Sequence, residues 1–120
     1  MGDEQFRKED VAGKTLETFY DHGILVGGVL AQDAAETEDI KAGTVMGVIT
    51  ASGKYAKYDD AHVDGTEVAK AILYEDVALS DVIAADKNVS IWLHGIFKEA
   101  DLTGLDAAAK VDLKNAIFFI

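Results

Sequence analysis

Apolar residues in this chain come in short bursts, and glycine or a polar cluster interrupts most bursts before they reach helical length. In residues 15–31, Leu16, Phe19, Tyr20, Ile24, Leu25, Val26, Val29 and Leu30 are broken by Asp21-His22-Gly23 and again by Gly27-Gly28. Short apolar runs bounded by glycine predict strands, with Gly27-Gly28 a bulge or a close backbone approach. Residues 43–50 and 54–58 are rich in β-branched and aromatic side chains and flank Ser52-Gly53, a turn pair, which predicts a β-hairpin. A polar, acidic loop over 59–65 and a third extended run over 66–73 follow. Residues 32–41 read as a loop or at most one helical turn. Residues 74–87 keep no clean period and read as loop and short strand.

The last third is sharper. Val89, Ile91 and Leu93 alternate with Ser90, Trp92 and His94. This predicts a strand covered on both faces, because Trp92 is too large to leave wet. Leu105, Ala108, Ala109 and Leu113 fall at helical spacing in an alanine-rich segment, with Thr103 as the expected cap and Asn115 as the expected end. Residues 116–120 are an apolar run that must be paired or buried. The sum is a mainly β fold with one C-terminal helix, forming a single domain over 15–120. Residues 1–14 hold only Phe6 and Val11 as larger apolar side chains, and read as an arm that is flexible when the protein is alone.

Charge narrows the partners. The chain of 120 residues carries 22 acids against 11 bases, a net charge of −11. Residues 1–40 alone hold ten acids and three bases, or −7. Such a surface repels phosphate backbones and anionic lipid, which argues against direct nucleic-acid or membrane binding. The longest weakly polar run, residues 23–31, is nine residues, and a membrane span needs about 20. The acidic N-terminus lacks the basic and apolar regions of a signal peptide, so the protein is expected in the cytoplasm where it is made. Cysteine is absent, which removes disulfides, thiolate nucleophiles and cysteine metal sites.

No segment carries a catalytic signature. Gly13-Lys14-Thr15 resembles the tail of a phosphate-binding loop, but Lys8 stands where the first glycine belongs. Residues 60–65 resemble the first half of a calcium loop, yet its third place is His62 and its twelfth is Ala71. A solvated turn explains those residues better. His22, His62 and His94 are each alone in sequence, and Asp59-Asp60 reads as a solvated pair. The expectation is no catalytic residue, no metal and no cofactor. Phe19, Tyr20, Tyr55, Tyr58 and Trp92 lack the basic surround of a base-stacking platform, so core and subunit contact is the better role for them.

The order GTVMG at 43–47, SGKYAKYD at 52–59, DG at 64–65 and AIL at 71–73 resembles the head decoration proteins of tailed phages, the group similar to the lambda capsid cement protein. The resemblance covers about residues 40–97. It implies a β-clip-like fold, no enzyme activity, and a homotrimer that binds the major capsid protein on the outer surface of the virion head. It also implies that the N-terminal arm joins strands of the shell protein. The arm here is charged, where family arms are often rich in Pro and Thr. Regional assignments follow: capsid contact at Phe6, Val11, Thr15, Leu16, Phe19 and Tyr20, and trimer contact at Tyr55, Tyr58, Phe118 and Phe119. The competing readings are a small soluble ligand- or metal-binding β domain, and another phage appendage component.

Overall fold

A computed structural model describes residues 23–120. The predicted hairpin is present: β2 (Val45–Val48) runs antiparallel to β3 (Tyr55–Lys57) with Val48 opposite Tyr55. The Ile49 N–H donates to the Lys54 carbonyl at 2.8 Å, and the Gly53 N–H to the Ile49 carbonyl at 2.8 Å, which closes the turn. The third extended run shortens to β4 (Ala71–Leu73), which pairs with the other edge of β2. The long strand β5 (Lys87–Phe97) then pairs antiparallel with β4 on one edge and with β1 (Ile24–Leu30) on the other. β1 also meets β3, in parallel, at Leu30 and Tyr55. The strand order therefore closes on itself, β1–β3–β2–β4–β5–β1, as a small barrel-like sheet.

Side-chain alternation sorts the apolar residues onto the two faces of this sheet. Leu30, Met46, Ala71, Leu73, Val89 and Ile91 fill the inside, with Ile40, Val77 and Val82 packed against them. Val45, Ile72 and Trp92 point outward into a second cluster with Phe97, Ala109, Leu113 and Ile117. All three residues of β4 are fully buried for this reason. Each buried Leu or Ile is worth about 1.5–3 kcal/mol relative to exposure, so both clusters matter to stability.

The expected irregularity lies elsewhere than at Gly27-Gly28. Leu25 is opposite Trp92 but Ile24 is opposite His94, so Leu93 is an extra residue and the bulge is there. The bulge swaps the faces of β5 beyond it, which is how Trp92 and Phe97, five residues apart, share the outer cluster with ring centroids at 5.9 Å. The close approach is real at one of the two glycines. A Cβ on Gly28 would fall 2.8 Å from the Tyr55 ring, whereas Gly27 has nothing within 4 Å.

The helices need two corrections. Among the described residues there are two α-helices and not one: α1 (Leu79–Ala84) stands where loop and short strand were expected. It is too short for a period to show, and its ends are satisfied from far along the chain. The Asp39 carboxylate accepts from the Leu79 N–H at 2.8 Å, and the Gln32 amide donates to the Ile83 carbonyl at 2.9 Å. Val82 anchors it in the inner cluster. The C-terminal helix, α2 (Ala107–Leu113), is capped by Asp106, whose side chain accepts from the Ala109 N–H at 2.7 Å, and not by Thr103. Thr103 is instead bridged to β2, accepting from the Val45 N–H and donating to the Gly43 carbonyl. Lys114, not Asn115, closes the helix. The terminal apolar run forms β6 (Ile117–Phe119), parallel to the end of β5. No helix among the described residues is long and apolar enough to cross a membrane.

Two backbone and capping contacts are open to test. A Cβ on Gly47 would sit 2.6 Å from the Thr66 Cα and 2.9 Å from two carbonyl oxygens, so backbone and not a mobile side chain blocks it. Gly47→Ala should cost about 3 kcal/mol or more, while Gly27→Ala should stay within about 0.5 kcal/mol, both read from urea unfolding. Tyr58 is buried, and its hydroxyl donates to the Asp106 carboxylate at 2.8 Å. Tyr58→Phe should cost about 1 kcal/mol. Asp106→Ala should cost more, because the helix cap and the tyrosine's partner go together. Equal losses for the two variants would show that the cap adds nothing.

Candidate functional site: an apolar face at the end of the long strand

Beyond the bulge, β5 carries His94 and Ile96 on one face, two residues apart. Ile24 lies directly opposite His94, and Phe118 directly opposite Ile96. Residues directly opposite in a ladder share a face. The ladder continues past Phe118, since the Ile120 N–H donates to the Phe97 carbonyl at 2.9 Å. Ile24, His94, Ile96, Phe118 and Ile120 therefore form one surface, and the His94 and Phe118 rings meet edge-on at 6.2 Å. Ile24 is 52%, Phe118 54% and Ile120 61% exposed. None of these five side chains is a carboxylate, in a chain with 22 of them. On the opposite face of the same end, Leu25 and Tyr74 are also exposed, and Tyr74 packs edge-on against Trp92 at 5.7 Å.

The acidic loop is a different kind of surface. The Asp59 carboxylate accepts from the Ala61 N–H at 2.9 Å, and Glu67 from the Gly65 N–H at 2.8 Å. Asp64 accepts from both the N–H and the hydroxyl of Thr66, at 3.0 and 2.6 Å. These are Asx-type turns of the expected sort. Thr66 is fully buried, and its oxygen is free to accept from His62 Nδ1 at 2.7 Å once its proton goes to Asp64. The Thr66 hydrogen bonds hold the Asp64 carboxyl below its usual range. Asp60 is exposed beside it. Among the described residues, no three metal-ligating side chains cluster. A depression of about 240 Å³ next to the loop is lined by Glu36, Lys57 and His62, among others. Lys57 Nζ lies 2.7 Å from the Glu36 carboxylate, whose side chain is only 7% exposed, and this bond holds Glu36 below the usual carboxylate range.

The site residues expected from the sequence are scattered. Phe6, Val11, Thr15, Leu16, Phe19 and Tyr20 lie outside the described residues. Tyr58 is buried in the outer cluster, and half-buried Tyr55 packs on the inner one beside Gly28. Phe119 is half-buried against the outer cluster. Of the four residues expected at a trimer contact, only Phe118 presents most of its ring outward. Ile24 and Ile96 are additions that the sequence does not announce. Their membership of one face depends on the bulge and on the β5–β6 pairing, and no spacing in the sequence encodes either.

Among the described residues, four carboxylates have lowered values: Glu36 through Lys57, Asp64 through Thr66, Asp86 through Lys54, and Asp106 through the Ala109 N–H. A carboxyl lowered on folding adds stability above its unfolded value, about 4, and loses it as pH falls through the folded one. The urea midpoint should therefore hold from pH 7 to about 5 and drop below about 4. Lys57→Met should lower stability at neutral pH and flatten that drop.

No individual curated protein matches the chain. The family model of bacteriophage lambda head decoration protein D matches residues 27–118, a span that runs from the middle of β1 through β2 to β5 and both α-helices to the start of β6. The chain belongs to that family, whose members are structural proteins of the phage capsid and not enzymes.

Proposed function

We propose that this protein binds the outside of the mature phage head as trimers, contacts the major capsid protein, and stabilises the shell. The observation that carries this reading is the family match over residues 27–118. The fold is then of the β-clip type, with residues 1–14 as a docking arm and 15–120 as the decorating domain. The arm adds a strand to the shell protein, so that main-chain hydrogen bonds hold it while Phe6, Val11, Thr15, Leu16, Phe19 and Tyr20 choose the partner. Ordering such an arm costs about 1–2 kcal/mol per residue in backbone entropy. Many copies, each joining several shell subunits, offset that cost by avidity.

Of the residues expected at the trimer contact, Tyr55 is half-buried on the inner cluster and Tyr58 is buried in the outer one. Phe118 and Phe119 on β6 are the aromatic side chains left for it from the expected set. No observation favours the ligand-binding alternative. The carboxylates of the acidic loop are engaged in turns, and the depression beside it is occupied along its wall by the Glu36–Lys57 pair.

The test uses purified full-length protein and expanded phage heads that lack their decoration protein. Co-sedimentation should show saturable binding, at a stoichiometry of three copies per threefold site. Decorated heads should release their DNA at a higher temperature than bare ones. A protein that stays in the supernatant at every concentration, or binds without raising that temperature, would overturn the reading.

A further inference from the structure

We infer that Asp64–Gly65 is a site of isoaspartate formation that the fold holds unreacted, by engaging each of its reacting groups in a hydrogen bond. The inference concerns the chain's own chemistry and does not depend on the decoration reading. In the reaction, the Gly65 nitrogen attacks the Asp64 side-chain carbon. The N–Cγ bond forms, the amide proton and the carboxyl hydroxyl leave together as water, and a five-membered succinimide results. Water then reopens the ring. Attack at the main-chain carbonyl leaves the chain running through Cγ, which is isoaspartate, and attack at the side-chain carbonyl restores aspartate. Glycine is the following residue that hinders ring closure least, because it has no Cβ. Asp64–Gly65 is the only Asp-Gly pair in the 120 residues, and there is no Asn-Gly pair.

The fold needs this pair. Gly65 has φ +111°, and a Cβ there would meet the Val48 carbonyl oxygen and, at 2.8 Å, the Thr50 nitrogen. Both obstacles are backbone, so a side chain at this position is blocked as well as strained. Asp64 is equally fixed, because its carboxylate satisfies the fully buried Thr66. Burial does not protect the pair, since Asp64 is exposed. Its hydrogen bonds do. The Gly65 N–H donates to the Glu67 carboxylate at 2.8 Å, and a charged acceptor opposes loss of that proton. The Asp64 carboxylate accepts from the Thr66 N–H at 3.0 Å and from its hydroxyl at 2.6 Å. These bonds favour the ionised form, which resists a nucleophile where the neutral acid would yield. The Asp64 carbonyl accepts from the Thr50 N–H at 2.9 Å, which ties the peptide unit between the two residues to the hairpin. Ring closure turns the carboxylate toward the Gly65 nitrogen and breaks the bonds to Thr66 and Glu67. It therefore waits on local opening of the loop. The product would add a methylene to the main chain next to Thr66, where the chain crosses Gly47 with no space to spare.

Ageing the full-length protein at neutral pH, folded and in urea, tests the inference. Isoaspartate is measured by methyl transfer from S-adenosylmethionine with an isoaspartyl methyltransferase, and its position by peptide mass spectrometry. Folded wild type should accumulate it about tenfold or more slowly than the unfolded chain, because ring closure waits on opening. Glu67→Ala releases the Gly65 N–H, and Thr66→Val removes the hydroxyl donor. Each should speed conversion of the folded protein severalfold, at Asp64. Glu67 is partly exposed and belongs to neither core cluster, so its variant carries the test where a change at buried Thr66 costs the fold. Asp106→Ala is the control: it weakens the α2 cap and touches none of these bonds, and it should age like wild type while folded. Folded wild type that converts as fast as the unfolded chain would overturn the inference. So would a folded Glu67→Ala protein that ages at the wild-type rate. Asp106→Ala ageing as fast as Glu67→Ala would assign the protection to overall stability, and would overturn the role given to the loop's own bonds.

Discussion

β5 has neighbours along both edges and cover on both faces, and this constraint organises the molecule. β4 and β1 take its two edges, and β6 takes its far end. A strand placed in this way has no free main-chain donors to attract another chain along its middle. It also must be apolar on both sides, which is why Val89, Ile91, Trp92 and Phe97 are all buried despite their mixed parity. The bulge at Leu93 makes the mixture possible. Without the extra residue, Phe97 would face the inside of the ring and the outer cluster would lose one of its three buried aromatics.

Closure of the ring depends on how near backbones can come. β1 reaches β3 through a single opposed pair, Leu30 and Tyr55, and the Tyr55 ring lies where a side chain on Gly28 would be. The chain between the acidic loop and β4 crosses β2 at Gly47, close enough that no Cβ fits. Thr66 sits at that crossing, fully buried, with its hydroxyl satisfied by Asp64 and His62. A buried hydroxyl without such partners would cost about 1–3 kcal/mol. The acidic residues of the loop thus secure a backbone crossing, and turn geometry accounts for their resemblance to a metal loop.

These contacts also explain what the sequence could and could not reveal. The hairpin was legible because turn chemistry is local: Ser52-Gly53 between two β-rich runs is sufficient. β5 was legible because an alternating run containing a tryptophan has few other homes. The existence of α2 followed from alanine and spacing, but its cap did not. Thr103 and Asp106 are both good caps, and Tyr58, 48 residues away, supports Asp106. α1 was hidden for the same reason in stronger form, since Asp39 and Gln32 satisfy its ends from outside. The GTVMG and DG motifs marked the family correctly, yet physically they mark a tight crossing and a turn. They say how the domain folds and not what it touches.

The surface that remains for a partner comes from the parts the core does not use. Among the described residues, the buried apolar side chains run from Leu30 to Ile117. Ile24 and Leu25 precede that span, and Phe118 and Ile120 follow it. Ordinarily such residues would be unrelated ends. Here Ile24 at the start of β1 pairs with His94 and β6 pairs with Gly95, Ile96 and Phe97, so the two ends meet near one end of β5. Their apolar side chains then add up to a face, although neither end alone offers more than isolated contacts. Both core clusters are complete without Ile24, Leu25, Phe118 and Ile120. That separation leaves the core closed while the two ends supply an exposed apolar face of their own.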